Sequence, residues 1–299
     1  MIRPFPKPHQ VPRPQYERLP ERNTVTIAAG FVCEEGILIC ADTEYTSSGD
    51  KLEAAKIFPR SVDNIEFLFT GAGDRSLIAM TTDMICDAIE KENVALAGMS
   101  LSSRTEEVRR IITTQNQIVY SQYVNYANPP ISETQMLIGF LSRDGDICEY
   151  RLLGVGSPTV ERIDTYECIG AGASIGRWLA KTFYYESCPL DLIKVAALYI
   201  VQEAKANVPY CGGGTTIYTL KVKPENRRRM TLWDDESLAR DVQRAMRDIL
   251  FLPRNKSLDD RTFEEMLADL MRRIRDIRAD RIRVDNPPFD VSGEGTSLK

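Results

Sequence analysis

Short, nearly continuous apolar runs open the main body of the chain and predict strands that are covered on both faces. The runs that predict strands cover residues 24–33, 36–42, 54–58 and 65–70. Gly36 suits the turn that joins the first two runs into a hairpin. A polar stretch, residues 43–53, leads from this hairpin to the third run. The main body is therefore predicted to begin with a group of neighbouring strands.

Helical patterns and a second group of strands follow. Apolar residues at helical spacing begin after Asp74 and again after Ser103. Three or four strands are then predicted, at residues 134–141, 147–153 and about 160–169. Helices are predicted at about 173–186 and 189–205, and a last strand at 215–222. The order is strands, two helices, strands, two helices and a strand. Antiparallel strands with paired helices on both faces predict an α+β fold, specifically a four-layer αββα sandwich.

The two ends of the chain differ from this main body in composition. Residues 1–23 are rich in proline and predict a flexible arm or a propeptide. Residues 223–299 are densely charged, and an apolar stripe within them predicts a helical extension followed by a disordered tail. The stripe consists of Phe263, Leu267, Leu270, Ile274 and Ile277. The domain between the two ends is predicted to cover residues 24–222.

Composition narrows the class of protein. The chain has 299 residues, enough for one sizeable core, and a formal net charge of −5, which does not favour nucleic-acid binding. No run approaches 18 apolar residues, so no membrane span is predicted. The seven cysteines are scattered and form no CxxC pair. They predict reduced, buried thiols in a cytoplasmic protein.

The single histidine excludes several catalytic mechanisms. His9 lies inside a proline-rich segment that cannot form regular structure. Ser-His-Asp and Cys-His catalysis both need a positioned imidazole, and a histidine-ligated zinc site needs one as well. The sequence therefore predicts no metal ion and no cofactor. A covalent catalyst with this composition would need an amine or a carboxylate as its base.

The first predicted hairpin can assemble such a catalyst. A threonine stands near the start of its first strand, with Thr24 and Thr26 as the two candidates. Asp42 closes the second strand, and Lys56 lies at the next apolar run. This layout can bring a hydroxyl, a carboxylate and an ammonium group together at one end of the hairpin.

The residues that carry this layout also resemble a family. The motifs are Thr26-Ile-Ala-Ala-Gly-Phe-Val-Cys-Glu-Glu-Gly-Ile-Leu-Ile-Cys-Ala-Asp42, Lys56 within Ala-Ala-Lys-Ile-Phe, Gly71-Ala-Gly73, Gly170-Ala-Gly172 and Cys211-Gly-Gly-Gly-Thr-Thr-Ile-Tyr. Their order and spacing resemble proteasome β-type subunits and their bacterial relatives, the N-terminal-nucleophile (Ntn) hydrolases. The resemblance covers about residues 24–222 and implies the αββα fold already predicted from the order of elements.

The resemblance implies a role for each candidate residue. Thr26 would be the nucleophile, activated by its own α-amine, whose unperturbed pKa is about 7.7–8.0. Lys56 would stabilise the deprotonated hydroxyl, Asp42 would orient Lys56, and the backbone N–H of Gly73 would serve as the oxyanion donor. Counting back from Gly36 and Asp42 without gaps selects Thr26 rather than Thr24.

Two functional hypotheses remain open from the sequence. The first is a threonine peptidase or amidohydrolase that acts on peptides or unfolded proteins after residues 1–25 are removed. The second is a non-catalytic structural or peptide-binding subunit. It is motivated by Ala171 where the family has serine, by Tyr210 near the place of an expected acid, and by Val25 where self-cleaving members carry glycine. Both predict a homo-oligomer, as a ring or stacked rings, and leave an ATPase partner undetermined.

Overall fold

The structure is a computed structural model of the 299-residue chain. It describes residues 26–47, 50–124, 134–156, 158–222, 230–233, 241, 243–245, 248 and 259–279. Thr24, Val25, the arm at 1–23 and the last residues of the extension lie outside the described residues. Within the described part of the chain, no helix is both long and apolar enough to cross a membrane.

Twelve strands and six helices make up the described structure. The strands are β1 (Ala28–Cys33), β2 (Gly36–Asp42), β3 (Glu44–Ser47), β4 (Asp50–Glu53), β5 (Ile57–Val62), β6 (Ile65–Ala72), β7 (Gln135–Asp144), β8 (Ile147–Gly156), β9 (Thr159–Ile163), β10 (Tyr166–Ile169), β11 (Thr215–Lys221) and β12 (Met230–Trp233). The helices are α1 (Arg75–Lys91), α2 (Asn93–Ala97), α3 (Leu101–Val119), α4 (Ala173–Phe183), α5 (Leu190–Asn207) and α6 (Asp260–Ala279), with a π-helical turn at Tyr120–Val124 after α3.

Two five-stranded antiparallel sheets organise these strands. The first has the order β10-β1-β2-β11-β12, and the second has the order β5-β6-β7-β8-β9. The prediction of an α+β fold with antiparallel strands is therefore confirmed. The sequence left three or four strands open for residues 134–169, and the structure has four. The structure divides the run at about 160–169 into β9, which pairs with β8 in the second sheet, and β10, which pairs with β1 in the first.

Residues 43–53, which the sequence indicated only as a polar connection between strands, have regular structure of their own. They form a separate two-stranded hairpin, β3-β4, in which Glu44 lies opposite Glu53. β5 begins three residues later than the strand predicted at 54–58 and continues through Pro59 to Val62. Proline cannot donate to a ladder and is therefore confined to edge strands, and β5 is an edge strand of its sheet.

Three clusters of buried apolar residues form the core. One joins the first sheet to α4 and α5, and includes Phe31, Leu38, Leu179 and Ile200. A second joins the second sheet to α1 and α3. The third is built from residues of both sheets. Because each sheet contributes to two clusters, its central strands are buried on both faces, which explains the nearly continuous apolar runs in the sequence.

Candidate active site

Strand ends from both sheets meet at the candidate site. Thr26 lies two residues before β1, and Asp42 is the last residue of β2. Since β1 and β2 are antiparallel, the start of one lies beside the end of the other. Lys56 immediately precedes β5 in the second sheet. The fold therefore brings together three of the residues that the sequence singled out.

The lysine ammonium bridges the other two side chains. Lys56 Nζ donates to Asp42 Oδ1 at 2.8 Å and to Thr26 Oγ1 at 2.9 Å. All three residues are buried, with 4 % of Thr26, 0 % of Asp42 and 8 % of Lys56 exposed. An ion pair in such a place is screened little by solvent. Lys56 is therefore placed to stabilise negative charge that develops on the threonine oxygen.

Backbone amides complete the environment of Asp42. Ile27 N–H donates to Oδ1 and Gly212 N–H donates to Oδ2, each at 3.1 Å. Burial raises the pKa of the Asp42 carboxyl, and the Lys56 ammonium together with the two amides act in the opposite direction. The carboxylate thus depends on these donors to remain ionised, and its orientation towards Lys56 is fixed.

The Gly170-Ala171-Gly172 turn holds the backbone of Thr26. Gly172 N–H donates to the Thr26 carbonyl oxygen at 3.2 Å. Gly170 has φ +86°, and a Cβ placed on it would lie 2.3 Å from the same oxygen. Only glycine fits this approach. Ala171, at the centre of the turn, is exposed and brings no hydroxyl to the site.

Gly73 lies at the end of β6, between Ala72 and the residue that caps α1. Its φ is +124°. Asp74 Oδ1 accepts from the N–H groups of Ser76 and Leu77, so the strand turns directly into the helix at this point. The Ala72 Cβ lies 3.2 Å from the place that a Cβ on Gly170 would occupy, so the segment runs beside the turn that holds Thr26. The oxyanion role of Gly73 stays a prediction.

Sequence reasoning assigned no role to two residues of this neighbourhood, Glu44 and Cys211. Glu44 is two positions beyond Asp42 and 9 % exposed, and its carboxylate packs against Gly212. The Cys211 thiol is buried, which raises its pKa to about 12; Asp42 and Glu44 add to this effect, and Lys56 opposes it. The signal for Glu44 was its two-residue spacing from Asp42, which places both side chains on one face of an extended chain.

Tyr210, near the place of the acid that the resemblance implies, brings no carboxylate to the site. Tyr210 has φ +70° and is 52 % exposed. Among the described residues, no group of three or more histidine, cysteine, aspartate or glutamate side chains could hold a metal ion.

Comparison with known proteins identifies the fold rather than a sequence family. No protein-family model matches the chain, and no curated protein matches it. Among solved structures, an Anbu Gly-1 mutant from Hyphomicrobium sp. strain MC1 matches with a TM-score of 0.62 and 16% identity, over 79% of this chain and 98% of that one. Anbu from the same strain matches with a TM-score of 0.60 and 14% identity, over 79% and 99% of the two chains. Anbu (ancestral beta-subunit) from Yersinia bercovieri matches with 0.58 and 12% identity, over 75% and 94%.

These matches correct the resemblance to proteasome β-type subunits. The chain has the fold of Anbu proteins, which are related to the proteasome but distinct from the proteasome β-type Ntn hydrolases proper. The assignment to proteasome β-type subunits was wrong because the motifs consist of residues at strand ends and in glycine turns. Proteins that share the fold need the same turns, whichever family they belong to.

Proposed function

We propose that this Anbu-like chain is a threonine-type hydrolase of peptide or amide bonds, with Thr26 as the nucleophile after residues 1–25 are removed. The observation that carries the proposal is the buried contact of Lys56 Nζ with both Thr26 Oγ1 and Asp42 Oδ1. A buried lysine can be paired with a carboxylate for structural reasons alone. Its second contact, to the Thr26 hydroxyl, places a positive charge beside a candidate nucleophile.

The proposed reaction uses groups of this site. The freed α-amine of Thr26 takes the proton from Oγ1, and Oγ1 attacks the substrate carbonyl carbon. Lys56 lowers the energy of the negative oxygen on the nucleophile, and the Gly73 N–H would bind the oxyanion of the tetrahedral intermediate. The amine returns the proton to the leaving nitrogen, which departs as the substrate's new amino terminus. Water, deprotonated by the same amine, then hydrolyses the ester and restores Thr26.

The three apolar clusters support the finer description of the fold. Helices α4 and α5 pack on the first sheet, α1 and α3 pack on the second, and residues of both sheets meet in the third cluster. We infer from this a four-layer αββα sandwich. In such an arrangement the strand ends that carry Thr26 and Lys56 come from the two inner layers.

The amino terminus of the purified protein tests the first step. Intact-mass analysis and amino-terminal sequencing should find Thr26 at the start of the mature chain. Thr26→Ala should abolish turnover of fluorogenic peptides, whereas Thr26→Ser should retain part of it. Thr219→Val is a matched control, because Thr219 is also a buried threonine and its hydroxyl makes no hydrogen bond with the described residues. Peptidase activity that survives Thr26→Ala would refute the assignment of the nucleophile.

Ala171 favours a second candidate, a non-catalytic structural or peptide-binding subunit. The turn that holds the Thr26 backbone offers no side-chain hydroxyl at its centre, so one group that could relay the amine proton is missing. This candidate predicts a chain that keeps its first 25 residues and turns over no peptide. A homo-oligomer is expected for both candidate functions, and light scattering of the purified full chain would test it. A monomer at micromolar concentration would contradict that assembly.

A further inference from the structure

Two carboxylates lie on either side of the backbone of Gly212. Asp42 Oδ2 accepts from Gly212 N–H at 3.1 Å, and the Gly212 carbonyl accepts from Glu44 N–H at 3.0 Å. A Cβ placed on Gly212 would lie 2.4 Å from Glu44 Oε2, so this carboxylate packs directly against the glycine. Glu44 therefore belongs to the same buried neighbourhood as Asp42, although the reaction described above does not use it.

Thr26 and Glu44 lie at the same end of the β1-β2 pair. Ala28 lies opposite Ala41, and the hydrogen bond from Asp42 N–H to the Ile27 carbonyl continues the same register by one residue. Thr26 precedes Ile27, and Glu44 follows Asp42 by two residues, so both lie beyond this last bond. Because the two strands are antiparallel, Thr26 and Glu44 leave the pair at the same end.

Glu44 also has an unused acceptor. Lys51 Nζ donates to Glu44 Oε2 at 3.1 Å and lies 3.0 Å from Oε1. The geometry favours only the first as a hydrogen bond, and Oε1 is buried and accepts none from the described residues. Asp42 already accepts three hydrogen bonds, from Lys56, Ile27 and Gly212. Glu44 Oε1, which is in ion-pair contact with Lys51 but accepts no hydrogen bond from the described residues, can therefore accept one from a new donor.

We propose that Glu44 positions the α-amine of Thr26, accepting a hydrogen bond from it and stabilising its ammonium form. This inference rests on the proposed function, because the amine exists only after residues 1–25 are removed. The carboxylate would then supply, from β3, the acid that the sequence lacks near Tyr210. It would hold the amine within reach of Thr26 Oγ1 and favour the step in which the amine takes the hydroxyl proton.

Several charged or titratable groups lie near this carboxylate or near Thr26. They are Lys51 on β4, Asp42 at the end of β2, Lys56 before β5, and the Cys211 thiol of the glycine-rich turn. The acidic limb of the pH profile of kcat/KM reports the essential base of the free enzyme, here the amine. Removal of the negative charge of Glu44 disfavours the ammonium and lowers the pKa of the amine. Removal of the positive charge of Lys51 has the opposite effect and raises the pKa of the amine.

The experiment compares pH profiles of kcat/KM for a fluorogenic peptide, using the full chain after its own maturation. In Glu44→Gln the acidic limb should move to lower pH by about half a unit or more, with kcat reduced about tenfold and KM little changed. Lys51→Met should move the limb to higher pH, and this variant is expected to fold because the Lys51 side chain is 65% exposed. Glu53→Gln is the matched control: it removes the same charge from the opposite strand of the hairpin, where Glu53 is exposed, and should leave the profile unchanged.

The outcomes separate this inference from the proposed function. Opposite shifts in Glu44→Gln and Lys51→Met, with restoration by Glu44→Asp, support the positioning role. A mature, active protein in which neither variant moves the acidic limb overturns the role of Glu44 and leaves the proposed function standing. If Glu44→Gln fails to fold, an unshifted limb in Lys51→Met overturns it by itself. A chain that keeps residues 1–25 and hydrolyses nothing refutes both.

Discussion

Replacement of Lys56 by methionine should destabilise the protein by an amount that depends on pH. The side chain of Asp42 is completely buried, and Lys56 Nζ lies 2.8 Å from its Oδ1. Lys56→Met keeps most of the volume of the lysine stem and removes only the ammonium. The carboxylate then retains the two amide donors, Ile27 and Gly212, and no opposite charge at hydrogen-bond distance among the described residues.

The size of the effect follows from the burial of the pair. Removal of one partner of a buried ion pair costs about 3–5 kcal/mol, because the other charge is left uncompensated. Asp42 keeps two amide hydrogen bonds, so we expect the lower end of this range, a loss of about 3 kcal/mol in the free energy of unfolding at pH 7. The double variant Asp42→Asn/Lys56→Met removes both charges and should be less destabilised than Lys56→Met alone.

The sign of the pH dependence comes from the pKa of Asp42. Burial already raises this pKa in the folded protein, and Lys56 opposes the rise, so Lys56→Met should raise it further. A carboxyl whose folded pKa is raised contributes stability below its unfolded pKa of about 3.9, and that stability is lost as pH increases through the folded value. The cost of Lys56→Met should therefore be smallest near pH 4 and grow towards pH 7.

Urea denaturation of the wild type, Lys56→Met and the double variant between pH 4 and pH 8 measures this effect. Lys194→Met is a suitable control. Lys194 is equally buried, but the side chain of its partner Asp191 is 83% exposed and can return to water. Its cost should stay below about 1 kcal/mol and change little between pH 5 and pH 8. A cost of Lys56→Met that is the same at pH 4.5 and pH 7 would refute the reasoning.

Three further predictions concern the surroundings of the site and the core. Gly170→Ala should lower the free energy of unfolding by about 3 kcal/mol or more in urea denaturation, because its Cβ would meet a backbone oxygen; Gly145→Ala, also at positive φ but with nothing within 4 Å, should cost only about 1 kcal/mol. Equal losses in the two variants would contradict the steric argument. The Cys211 thiol, with its pKa raised by burial to about 12, should resist alkylation in the native protein at pH 8 and react fully in denaturant, as mass mapping would show. Rapid native alkylation of this residue would contradict its burial. Arg143→Met should destabilise by about 3–5 kcal/mol in urea, because it leaves the buried carboxylate of Glu66 without the guanidinium 3.1 Å away; a loss below about 1 kcal/mol would contradict this.

The central part of the site could be predicted from the sequence because a hairpin fixes it locally. Apolar runs on both sides of Gly36 predicted β1 and β2, and the antiparallel pairing of two adjacent strands brings the start of the first beside the end of the second. Thr26 and Asp42 follow from this pairing. Lys56 followed from its place at the next apolar run, and the structure confirms that all three side chains lie together. Their catalytic roles stay predictions.

Long-range pairing decided the features that the sequence could not predict. The number of strands up to residue 169 stayed open because nothing in the local pattern at about 160–169 reveals that β9 pairs with β8 and β10 with β1. The hairpin of β3 and β4 could not be predicted because its residues are mostly polar and do not alternate with apolar ones. An ion pair between Glu44 and Lys51 contributes to it instead, and such a pair leaves no periodic signal.

The error in the family assignment has the same origin, and it shows which residues decide the function. Gly36 and Gly170 are required by the backbone: a Cβ on them would lie 1.8 Å and 2.3 Å from the carbonyl oxygens of Leu220 and Thr26. Any protein with these turns needs glycine there, whether or not it is a catalyst. Residues such as Glu44 are free of this constraint, since the backbone of β3 accepts other side chains at that position. Glycine spacing therefore identifies the fold, whereas the charges around Thr26 decide whether the fold carries out hydrolysis, and the pH profiles of Glu44→Gln and Lys51→Met address that second question directly.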